Sequence, residues 1–195
     1  MQRQALRLLP ASGYRRMPWK NGGGVTTEIA RAPAGGDDFD WRVSIADIAE
    51  DGPFSAFPGI DRQLLLLDGG VELCVDATPP VRLELRHARI AFAGEATVQC
   101  RLLGGPSRDF NLMTRRGVFE GELLARPLVG PMAFFPTPRA LWLIHAASGS
   151  VHPKDTPTAC RAEAGDTLEL RAEALIRPLV LSGHGEIVLV RLTRL

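Results

Sequence analysis

The run Met17-Pro18-Trp19-Lys20-Asn21-Gly22-Gly23-Gly24-Val25-Thr26-Thr27-Glu28 holds the densest set of functional groups in the chain. An indole, an ammonium, a carboxamide, two hydroxyls and a carboxylate flank three glycines in a row. A segment stripped of Cβ atoms can come close to a ligand or to a neighbouring strand, and the flanking groups form a hydrogen-bonding kit for a small polar molecule. The same residues also read as a surface turn leading into an ordinary edge strand over Val25–Ala30. The chain has 21 arginines against two lysines, Lys20 and Lys154, so a lysine inside the glycine motif is the less incidental.

Three cations are candidates for an anionic ligand: Lys20, Arg42 and Arg62. Arg62 follows Asp61 where a turn enters an apolar strand. A guanidinium at a barrel mouth can hold a carboxylate through two parallel bonds, or it can close a structural ion pair with a nearby acid. Asn111 lies between Phe110 and Leu112. Pointing inward, it must find a partner, and a ligand would serve; pointing outward, it carries no message. Glu28 would accept from a ligand amide or pair with Lys20. The glycine run, with Gly23 at its centre, would turn backbone N–H groups toward the ligand. One expected ligand site therefore joins Lys20, Asn21, Gly23, Thr27, Glu28, Arg62 and Asn111, with the asparagines reading an amide or formyl oxygen.

Other chemistries lack their parts. The four histidines, His87, His145, His152 and His184, form no His-x-His pair and lie away from the glycine motif, so no metal site is expected. Neither Ser44 nor Ser55 has a visible base beside it, and no cofactor motif is present. Cys74, Cys100 and Cys160 are few, odd in number and widely spaced, as free thiols in a reducing cytoplasm would be. Cys74 and Cys100, in alternating apolar strands, read as core residues.

The elements that must position these groups are short strands. Leu6–Pro10 reads as the first. Phe39–Ala46 alternates apolar and polar at period two, the mark of a half-buried strand. Gln63–Leu67 is apolar enough for a central strand, and Asp68-Gly69-Gly70 signals a hairpin returning through Val71–Asp76. Further strands are expected over 81–86, 98–102, 109–115, 118–123, 141–145, 167–170 and 187–192. Turns are expected at Ala147-Ser148-Gly149-Ser150 and Gly183-His184-Gly185. Helix-forming composition is confined to 161–175 and is cut by Gly165-Asp166. The pattern near 64–76 recurs near 141–153. Many short strands without a long amphipathic helix predict an all-β, duplicated barrel.

A chain of 195 residues suits one large domain or two small ones. A net charge of +1 without a basic block gives no grounds for nucleic-acid or membrane-surface binding. The first ten residues lack the apolar core of a signal peptide, and no run approaches a membrane span, so a cytoplasmic protein is expected.

Four segments together resemble the HutD/Ves family: Trp19 to Glu28, Trp41-Arg42-Val43-Ser44, Phe54 to Arg62, and Asp109-Phe110-Asn111-Leu112-Met113. The likeness runs to about Arg116 and continues beyond it only in length and strand pattern. It implies a bicupin, two fused cupin-like β-barrels of the jelly-roll kind, with a ligand-bearing barrel over 1–116 and a second over 117–195. N-terminal strands are open to sharing between the two. It also implies a role in histidine utilisation, as a regulatory protein binding N-formylglutamate or a urocanate-like acid.

Three readings from different classes follow. One is a small-carboxylate-binding regulator without catalysis. Another is a metal-independent cupin enzyme, an epimerase, hydrolase or lyase acting on a small acid. The third is a structural or stress-associated protein whose glycine motif packs the barrel. A homodimer is compatible with any of them.

Overall fold

The computed structural model describes residues 5–36, 38–154, 160–171 and 178–195. Among these there is a short 3-10 turn at Ala11–Gly13 but no α-helix, and no helix long and apolar enough to cross a membrane. The architecture is an all-β bicupin, and the chain divides into two compact units. One is Tyr14–Phe119, and the other joins Met1–Gly13 to Glu120–Leu195.

The Tyr14–Phe119 unit is built from two sheets. Six strands hydrogen-bond in the order Arg15–Pro18, Gly24–Ala32, Trp41–Ile48, Ser107–Arg115, Ile60–Asp68, Arg89–Ala93. Four more run Gly52–Pro53, Val98–Leu102, Val71–Val75, Val81–Leu83. Ala46, Ile48, Leu64 and Leu66 of the first sheet pack with Val71, Leu73, Leu83 and Val98 of the second. Cys100 joins that core, whereas Cys74 is only half-buried. Asp68-Gly69-Gly70 does not close a hairpin. It carries the chain from one sheet to the other, since Val71–Val75 pairs with Val98–Leu102 and Val81–Leu83.

The inner face of the six-stranded sheet changes character along its strands. Side chains alternate faces with period two, so Ala46, Ser44 and Arg42 share one face, as do Leu66, Leu64 and Arg62. One end of that face is apolar core and the other is polar. Val43 and Ile45 turn to the opposite face and are buried there too. The alternation of Trp41–Ile48 therefore does not mark a polar side open to solvent: its polar positions point into the barrel.

In the other unit the Ala5–Leu9 strand pairs with Thr167–Arg171, register Ala5 opposite Arg171. The first strand, grouped in the sequence with residues 1–116, thus completes a sheet of the later residues. Thr167–Arg171 is extended because Leu168 and Leu170 enter the apolar core with Ile144 and Leu181. Of the 161–175 stretch with helix-forming composition, 172–175 lie outside the described residues.

Neither glycine turn of this half is a turn. Leu141–Pro153 and Leu179–Arg194 are continuous strands paired along most of their length, with a bulge between Ala146 and Ser148. The glycines allow close backbone approach instead. A Cβ on Gly183 would lie 1.9 Å from the Ser150 carbonyl oxygen, and one on Gly149 2.0 Å from that of His184. Interior strand glycines read as punctuation in sequence, but here they let two paired strands approach closely.

Candidate functional site

The polar end of the Tyr14–Phe119 barrel is a cavity of about 620 Å³. Arg62 reaches it from the Ile60–Asp68 strand, Arg42 and Ser44 from Trp41–Ile48, and Asp109 and Asn111 from Ser107–Arg115. Thr26 of the Gly24–Ala32 strand adds a hydroxyl. Trp19, Lys20 and Asn21 close one side from the turn before that strand, and Phe54, Ser55 and Phe57 close another.

Arg62 is buried, with 6% of its surface exposed, while its neighbour Asp61 faces outward to meet Arg116 at 2.8 Å. Strand alternation separates the two, so the adjacent acid is not Arg62's partner. Its guanidinium carbon lies 4.9 Å from the Phe92 ring centre, 5.5 Å from Phe54 and 5.6 Å from Phe57. Nη1 donates to the Ser55 carbonyl at 3.3 Å, and Nε has no partner. Burial lowers its pKa to about 10 against the opposing pull of Asp109, so it remains a cation at neutral pH.

Arg42 is held in a similar way, 5.4 Å from the centres of both Phe39 and Phe57. Its Nε stands 4.0 Å from the Glu28 carboxylate and makes no hydrogen bond. Burial lowers its pKa as well, with Glu28 acting to raise it. Aromatic faces accommodate guanidinium planes while leaving their edges free to donate.

Asp109 is 2% exposed, and its Oδ1 has no partner; neither does Oδ1 of Asn111, two residues along the same face. Burial pushes the Asp109 carboxyl up to about 7, with Arg62 pulling the other way and Asp47 adding to the rise. Buried polar atoms are nearly always satisfied, so two orphaned guanidinium donors and two orphaned oxygens around one cavity are groups that a polar ligand or ordered water would satisfy.

Of the residues singled out in the sequence, Lys20, Asn21, Arg62 and Asn111 line this cavity together. Gly23, Thr27 and Glu28 do not. Gly23 donates its N–H to Asn21 Oδ1 at 3.1 Å, and Gly22 donates to the Trp19 carbonyl at 3.0 Å. These glycine amides serve the turn rather than a ligand, because a tight turn must satisfy its own backbone. Thr27 lies opposite Ile45, on the sheet face turned away from the cavity, and Thr26 takes the inward place. Glu28, opposite Ser44 in the register, pairs with Arg31 at 3.8 Å and Arg42 at 4.0 Å rather than with Lys20, and so stands beside a cavity arginine.

Sequence reasoning passed over Asp109 and the aromatic shelf of Phe54 and Phe57. Asp109 and Asn111 stand at i and i+2 in an otherwise apolar strand, which alternation alone places on one face. Phe54 and Phe57 sit in an irregular loop with no periodicity to read. Trp19 is fixed there by donating from Nε1 to Thr26 Oγ1 at 2.8 Å and by an edge-to-face contact with Phe54 at 6.4 Å.

Among the described residues no three His, Cys, Asp or Glu side chains come together. His145 is buried in the other unit, its Nδ1 3.0 Å from Thr167 Oγ1. Elemental analysis of the purified chain is expected to give only substoichiometric zinc, iron, manganese or nickel. One equivalent per chain, lost on substitution of a histidine, is the contrary result.

The HutD family model matches residues 11–189. A Pseudomonas putida protein described as an uncharacterized 21.2 kDa protein in the hutC 3' region is 54% identical over 110 residues, 55% of this chain and 57% of the relative. Protein Ves of Citrobacter koseri is 43% identical over 106 residues, 52% of this chain and 56% of that one. The matched stretches thus span just over half of these curated relatives. The solved structure of HutD from Pseudomonas fluorescens SBW25 superposes with a TM-score of 0.81 at 35% identity, covering 98% of this chain and 100% of that one.

Proposed function

The chain belongs to the HutD family, and on that premise we propose that its Tyr14–Phe119 cavity binds a small carboxylate in a regulatory role in histidine utilisation, without turnover. The observation that carries this reading is the pair of cavity arginines, buried Arg62 and half-buried Arg42, each with a buried Nε–H that has no hydrogen-bond partner. The cavity's cations, Lys20, Arg42 and Arg62, outnumber its one carboxyl group, Asp109. An anion fits that balance, and a guanidinium edge fits a carboxylate. The orphaned Asn111 oxygen asks for a donor such as an amide N–H. N-formylglutamate offers both kinds of group, and the P. putida relative's place in the hutC 3' region supports a link to histidine utilisation.

Two charge-assisted contacts of about 1.5–3 kcal/mol each, less the ordering costs, correspond to micromolar to millimolar binding. That range suits a sensor of an accumulating metabolite. Substituting Arg62→Ala is expected to weaken N-formylglutamate binding by roughly 1.5–3 kcal/mol, about ten- to a hundredfold. Titration calorimetry with N-formylglutamate and urocanate measures this directly. No heat with either acid would leave the structural reading in place. Asp109, a buried carboxyl near neutrality, is the feature that favours an acid–base enzyme instead. Product analysis after long incubation decides that point, since steady conversion of either acid would establish catalysis.

A further inference from the structure

We propose that Asp109 is the proton-linked specificity residue of this cavity: as a carboxylic acid it donates a hydrogen bond to a ligand carboxylate, and as a carboxylate it competes with that ligand for Arg62. The inference rests on the carboxylate-binding reading and adds to it the residue that decides when the site accepts an anion.

The surroundings of Asp109 offer it one main source of positive charge, Arg62, which lines the same cavity. On its own strand its neighbour across the pleat is the neutral Asn111. From Trp41–Ile48 it faces Ala46, with Ser44 and then Arg42 farther along, 4.0 Å from Glu28. From Ile60–Asp68 it faces Leu66, with Arg62 beyond. Across the barrel stands Cys100, whose thiol is pushed up to about 12 by burial and by Asp109 itself, so it stays neutral. Lys20 is exposed, and Asp47 adds negative charge from the same sheet. Arg62 is therefore the cation that favours the ionised form of Asp109.

A single guanidinium in a buried site cannot serve two carboxylates equally well. A ligand carboxylate arriving at Arg62 places a like charge beside Asp109, and two neighbouring carboxylates raise each other's proton affinity. Asp109 then takes up a proton from solvent. The resulting O–H donates to the ligand oxygen as a short charge-assisted bond, and Arg62 meets the ligand with no competing charge beside it. No other bond is made or broken. With the Asp109 carboxyl near 7 before binding, the exchange falls within the physiological range.

The test is calorimetry of the full chain with N-formylglutamate from near pH 6 to near pH 8.5, each in two buffers of different ionisation enthalpy. The ligand's own carboxylates stay ionised throughout. Wild-type affinity is expected to fall by about tenfold per pH unit above neutrality, ~30-fold over the range, with close to one proton taken up at the alkaline end. Asp109→Asn keeps a donor but does not titrate, so its affinity should be nearly flat with pH and its binding heat independent of buffer. If that variant does not fold, the wild-type proton count alone decides. Wild-type binding that is flat with pH and takes up no proton overturns the role of Asp109 while leaving the carboxylate reading intact. Absence of binding at every pH removes both.

Discussion

Substituting Asp109→Asn is expected to stabilise the ligand-free protein at pH 8 by up to about 4 kcal/mol, an unusual outcome for a change at a buried polar site. Burial holds the carboxyl at about 7 in the folded chain, against an ordinary value of 3.8. The folded state therefore binds this proton more tightly than the unfolded state does. The stability tied to it is fully present below about pH 3.8 and is lost as the pH rises through about 7. Asparagine has no such dependence, so its advantage should be largest above pH 7 and should fade toward pH 4. Urea unfolding followed by the fluorescence of Trp19 and Trp41, at several pH values, measures the difference. A variant less stable than wild type at pH 8, or an offset that does not change with pH, would contradict the assignment. Retaining a group that weakens the fold at neutral pH is the usual sign that the group is kept for function.

The glycine run gives the second large effect, and its three members should behave differently. Gly24→Ala is expected to cost on the order of 3 kcal/mol, because the new Cβ would lie 2.5 Å from the Asp47 carbonyl oxygen and 3.1 Å from the Trp19 ring. A paired strand backbone cannot move away, so Trp19 and with it the cavity wall must shift. Gly22 has φ of 78° and open space around it, so alanine there should cost only about 1 kcal/mol of left-handed strain. Gly23→Ala should be close to neutral, since its Cβ would meet Asn21 and Glu50 at ordinary distances of 3.5 Å or more. Thermal unfolding of the three variants gives the ranking, at roughly 2–4 °C per kcal/mol for a chain of this size. Equal losses at all three positions would mean that the run acts as a flexible segment. A Gly24 variant as stable as wild type would remove the close-approach explanation.

Much of the fold was legible because it rests on local signals. Period-two apolar patterns marked most of the strands, and the absence of helical periodicity pointed to an all-β chain. What local pattern could not convey was the length and pairing of strands that pass through glycine. At Gly149 and Gly183 the same residue type that ends a strand in isolation lets one continue where a paired backbone lies close against it. Only the partner strand distinguishes the two uses.

The site divides along the same line. Sequence alone determined that Lys20, Asn21, Arg62 and Asn111 are polar groups set in glycine-rich or apolar surroundings, but it put Thr27 in the site where the structure puts Thr26. It could not determine which face of each strand is enclosed. In a simple half-buried sheet the polar face meets water, and Arg42, Ser44 and Asp109 would be unremarkable surface residues. Tertiary structure turned that face inward, stacked the guanidinium groups on phenylalanines from loops and a neighbouring strand, and took Asp109 out of water. The proton affinity of Asp109 and the unpaired edges of Arg42 and Arg62 come from that enclosure, because the cost of burying a charge depends on what surrounds it on every side.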